Sequence, residues 1–165
     1  MLSGAPAAAQ SSFVDGERVR LRAHFDEVIA ELEAADTSAL TEEQQANRAV
    51  LLVRLAAYRD RGVFPLRYGG PDGLAPEFRD VHGTRCAMGE LIYLSGETEL
   101  VEDVATTANS ATIAELSADP RLVQWLHDNG LSLEEAGRIQ PAYSPWRATD
   151  CLCVGSTSRA SGLIW

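Results

Sequence analysis

The chain has 165 residues, 45% of them hydrophobic and 23% charged, a composition that suits one compact domain with a real core. Its 14 basic and 24 acidic side chains leave a formal charge of -10 and a pI near 4.7. That balance repels phosphate backbones and anionic lipid, and no run reaches the roughly 18 apolar residues a spanning helix needs, so nucleic acid, membrane surface and transmembrane readings are set aside.

Residues 1–10 are treated separately. The run Leu2-Ser3-Gly4-Ala5-Pro6-Ala7-Ala8-Ala9 before Gln10 reads as the remnant of a secretory signal with a small-residue cleavage site, or else as a flexible alanine-rich tail. The first reading puts the protein in the periplasm or outside the cell; the second leaves it in the cytoplasm. Residues 11–143 then form a single helical domain, and residues 144–165 an irregular C-terminal tail.

The first element is an amphipathic helix over Glu17 to Ala34, with Leu21, Phe25, Val28, Ile29 and Leu32 on one face. A second opens on the capping-box pattern Thr41-Glu42-Glu43-Gln44, runs through Ala46, Ala49, Val50, Val53 and Ala57, and stops at Gly62. The short turn between them predicts an antiparallel hairpin. From Val63 to Asp80 the helical period gives way to Pro65, Gly69, Gly70, Pro71, Gly73 and Pro76, an irregular insertion. Within it, Phe64 to Tyr68 and Pro76 to Asp80 read either as a small hairpin or as plain coil.

Thr84 is the predicted N-cap of a third helix carrying Met88, Leu91 and Ile92 and ending at Ser95-Gly96. A fourth follows from Glu99 to Ala108 with Leu100, Val101, Val104, Ala105 and Ala108, closed by Asn109. After a short helical turn near Ala111 to Leu116, Asp119-Pro120 caps a helix with Leu122, Trp125 and Leu126 that Gly130 ends. Ser132-Leu133-Glu134-Glu135 is a second capping box, and its short helix through Ala136 and Ile139 stops at Pro141. There is no internal repeat. The expected fold is an all-α, compact bundle of about six or seven short helices, with an irregular insertion before Cys86 and an extended C-terminal tail.

Chemistry concentrates at His82-Gly83-Thr84-Arg85-Cys86, where reactive side chains, a turn and a helix start coincide. A thiol there is open to three uses. In an oxidising compartment it pairs in a disulfide with Cys151 or Cys153, which are too close to each other for an unstrained mutual bridge. Such a bridge closes a loop of about 65 residues and contributes roughly 4 kcal/mol in the chain-entropy model. Alternatively Cys86 is a nucleophile, its thiolate favoured by the helix start, with His82 as base. In the third use His82, Cys86, Cys151 and Cys153 form a structural metal site, although their spacing matches no familiar zinc motif. The disulfide is the leading reading, and no cofactor is expected because covalent haem would require C-x-x-C-H.

The other candidates have plainer explanations. His24 is placed on the first helix away from its apolar face, and His127 near a helix C-terminus where a cation is favoured. Asp80 with Glu90, or Glu134 with Glu135, is not promoted to an acid–base pair, since the second pair already serves a cap. Trp125 falls in an apolar stripe and reads as core, while Tyr143 and Trp146 suit clamping of the tail. Leu163, Ile164 and Trp165 are costly to expose together and are the candidate partner-binding residues.

Three ordered blocks carry a resemblance: Pro76 to Ile92 with its His82-Gly83-Thr84-x-Cys86-Ala87-x-Gly89-x-Leu91-Ile92 pattern, then Trp125-Leu126 with Gly130-Leu131-Ser132, then Arg138-Ile139-Gln140-Pro141-Ala142-Tyr143. Over roughly Arg54 to Tyr143 the chain resembles a bacterial family without an assigned activity. The resemblance implies an outline and export, since members often look exported, and it transfers no catalytic residue. Members tend to carry two consecutive Asn where this chain has Asn109-Ser110. The expectation is therefore a small exported helical domain acting as a binding or structural component, with a thiol-dependent enzyme or a His/Cys metal-binding domain as alternatives.

Overall fold

The computed structural model describes residues 7–65 and 77–141 and is helical throughout its regular structure. Among the described residues six α-helices follow one another: α1 Ala7–Ala34, α2 Glu42–Arg61, α3 Ala87–Leu94, α4 Thr98–Thr107, α5 Pro120–Asp128 and α6 Leu133–Ile139, with a 3₁₀ turn at Glu115–Ala118 before α5. Of the expected all-α bundle, the body is present; the extended tail after Pro141 lies outside the described residues.

Local chemistry sets most boundaries. Thr41 Oγ1 accepts from the Gln44 N–H while the Gln44 side chain accepts from the Thr41 N–H, which closes the predicted box at the start of α2. Gly62 ends α2 in the left-handed region at φ 62°, where a side chain would strain the backbone. Ser132 and Glu135 repeat the box at α6, and Asp119 with Pro120 opens α5 as expected. By contrast α1 begins at Ala7 rather than Glu17, its start lying in an alanine run of the highest helix propensity.

Helices α1 and α2 form the predicted hairpin; α2 then touches α3 and α5, while α6 closes on α1, α3 and α5. Their inward faces meet in one core that includes Phe25, Val28, Leu55, Met88, Leu91, Val101, Ile113, Leu122 and Ile139. The aromatic corner Phe25–Tyr58–Phe64, with ring centroids 5.3 to 5.6 Å apart, seals the end of the hairpin.

The face assigned to α2 is overturned. Ala46, Ala49, Val50, Val53 and Ala57 all lie on its exposed side, and the buried residues are Arg48, Leu51, Leu55 and Tyr58. Both sets have helical spacing, but leucine and tyrosine remove far more apolar area from water than alanine and valine, so the larger side chains win the core.

That choice carries Arg48 inside. Its guanidinium donates to Leu32 O at 3.0 Å and Gly130 O at 2.7 Å, and pairs with Glu135 at 2.6 Å, joining the end of α1, the end of α5 and the start of α6. Burial alone would raise the Glu135 pKa, but the hydrogen bonds from Arg48 and the Ser132 N–H outweigh it and hold the carboxyl below its ordinary value.

Candidate functional site

Only the later half of the expected insertion hairpin is described, and its pairing differs from expectation. Phe78 to Asp80 fold back on Thr84 to Cys86 through Asp80 N–H to Thr84 O at 2.9 Å and Cys86 N–H to Phe78 O at 2.8 Å, with an isolated bridge between Arg79 and Arg85. Asp80 turns the loop: its Oδ1 accepts from the His82 and Thr84 N–H groups at 2.8 Å each, and Gly83 supplies the positive φ of 83°. Asn109 clips this strand to the loop after α4, its Oδ1 accepting from Arg79 N–H and its Nδ2 donating to Arg79 O, both at 2.9 Å.

The cap of α3 is Cys86, not Thr84. The Gly89 N–H donates to Cys86 Sγ at 3.4 Å, and the extended backbone of Cys86 at ψ 169° marks the residue just outside the helix. Pairing of the loop back onto Phe78 carries the chain two residues further before it can wind. Cys86 is buried, and that burial pushes its thiol pKa up to about 11 despite the N–H groups of Gly89 and Met88.

His82 is exposed at the tip of the turn, and its ring makes no hydrogen bond among the described residues. The base and the nucleophile of the thiol-enzyme reading thus stand in opposite environments. Cys86 is a free thiol among the described residues; Cys151 and Cys153, needed for the disulfide and for the metal set, lie outside them, as do Tyr143, Trp146, Leu163, Ile164 and Trp165.

The rest of the motif holds the loop in place. Glu90 is buried and receives Arg61 at 2.8 Å and Arg85 at 3.1 Å; the Arg85 guanidinium lies 3.7 Å from the Tyr93 ring centroid, and Tyr58 donates to Arg85 O at 3.0 Å. Asp80 and Glu90 therefore each have a structural task.

A groove of about 600 Å³ opens elsewhere, between α2, the α3–α4 turn and α5, lined by Val50, Arg54, Ser95, Arg121, Gln124 and Trp125 among others. Trp125 is core, as expected, and at the same time a wall of this groove. Sequence reading missed Arg48, Asn109 and Arg54. For Arg48 a signal existed, since it shares a helical face with Leu51 and Leu55; for the other two the partners are distant in the chain.

These features define a small all-α bundle with a structural cysteine turn and one sizeable groove. No family model matches the chain, nor does any curated protein or solved structure.

Proposed function

We propose that this chain is a non-catalytic binding or structural component, an exported helical domain whose Cys86 fastens structure rather than turning over substrate. The observation that carries the reading is the state of that sulfur: buried, accepting the Gly89 N–H as a helix cap, and held protonated with a pKa near 11. A nucleophilic cysteine needs thiolate and access, and both are opposed here. Export and a bridge from Cys86 to Cys151 or Cys153 belong to the same proposal, with Leu163, Ile164 and Trp165 offered to a protein partner.

Thiol alkylation followed by intact mass tests it. In the native protein without reductant Cys86 stays unlabelled. In denaturant without reductant one of the three cysteines takes label, and with reductant all three do. Rapid labelling of Cys86 in the native protein would overturn the reading in favour of a thiol enzyme; three labels in denaturant without reductant would remove the bridge.

A further inference from the structure

We infer that the groove between α2, the α3–α4 turn and α5 is a binding site for a small organic monocarboxylate with an apolar body, Arg54 taking the carboxylate. The inference rests on the binding role proposed above and gives that role a place and a ligand chemistry.

Arg54 is half-buried in the groove, and its guanidinium donates to Ser95 Oγ at 3.2 Å without an ion pair among the described residues. In a chain of net charge -10, where buried Arg48 and half-buried Arg59, Arg79 and Arg85 each hold a carboxylate, a half-buried arginine left with a hydroxyl alone has donors to spare for an anion. The second observation is Trp125. It is 4% exposed and walls the same groove, yet its Nε1 is buried with no hydrogen-bond partner, a costly state that an acceptor on a ligand relieves.

The remaining lining sets the class. Val50 is 48% exposed on the groove side of α2, and Pro120 adds a further apolar surface, so the body of the ligand meets apolar wall. Asn47, Gln124 and Asn129 are already occupied, donating to Asp128 O, Asp128 Oδ1 and Trp125 O. Arg121, on the rim, is neutralised by Asp103 and Asp119. Glu97 and Asp128 also line the groove, and their charge disfavours phosphate or any dianion while leaving room for a single carboxylate. The volume falls within the roughly 300 to 1,000 Å³ of small-molecule sites.

The full-length protein labelled with ¹⁵N is titrated through the millimolar range with butanoate, octanoate and phenylacetate, with the matching amides, and with inorganic phosphate. The Trp125 indole N–H and the Ser95 and Gln124 backbone amides are followed. A saturable shift with at least one carboxylate is expected, absent with its amide. Arg54→Gln should weaken it by about ten- to a hundredfold, the loss of one charged hydrogen-bonding partner, and Arg54→Lys should restore part of it. No saturable shift with any carboxylate, equal response to acid and amide, wild-type affinity in Arg54→Gln, or tighter binding of phosphate would each overturn the inference. Thiol labelling is independent of all four, so failure here leaves the proposed role of Cys86 standing.

Discussion

His24 shows how a single residue can be misplaced by pattern alone. It was expected on the solvent side of α1, yet it is half-buried, and its Nε2 is sealed from water without a hydrogen-bond partner. Burial first, then the positive charges of Arg138 on α6 and Arg20 on α1, lower its pKa from 6.5; Glu31, which faces it from its own helix, is itself engaged by Arg138 at 2.6 Å. Because the folded protein holds His24 neutral and the unfolded chain protonates it near 6.5, the unfolded state binds more protons in that window. Stability is thus fully present above pH 6.5 and is lost as pH falls toward the lowered native value. Urea unfolding measured between neutral pH and about pH 5, above the range where carboxylates begin to protonate, should show that loss, and His24→Gln should flatten it. An unchanged pH slope in the variant would assign the effect to another group.

At the level of elements, the capping residues were readable because a cap is local: Thr41, Gly62, Asp119, Pro120 and Ser132 do what their types and spacings predict. The start of α3 was not, since the backbone pairing of Phe78 with Cys86, and the Asn109 clip beneath it, come from outside the helix. Gly89 in α3 tests that packing. Replacing glycine by alanine inside a helix ordinarily gains about 1 kcal/mol. Here a Cβ would stand 3.0 and 3.1 Å from the ring of Phe78, which is buried and has little room to yield. Gly89→Ala should therefore destabilise by about 1 to 2 kcal/mol net, as overpacking does, by denaturant unfolding. A gain instead would mean the ring can shift, and Phe78→Leu in the same background should then make no further difference.

For the whole molecule, one contiguous core draws side chains from all six helices, and Arg48 ties together three of their ends. Such a core predicts cooperative unfolding. In reductant, the urea dependence of Cys86 labelling should coincide with the loss of far-UV helical signal; labelling at lower urea would reveal that the cysteine turn opens as a separate unit.

The helices, their order and most of their ends were legible in the sequence, because hydrophobic periodicity and capping act within a few residues along the chain. Which side of α2 is buried, that an arginine goes in with it, that the thiol beside His82 is shut away and protonated, and that Arg54 and Trp125 share a groove were decided only by the tertiary structure. Burial, proton affinity and cavity shape depend on groups brought together from distant parts of the chain, and no spacing within one element records them.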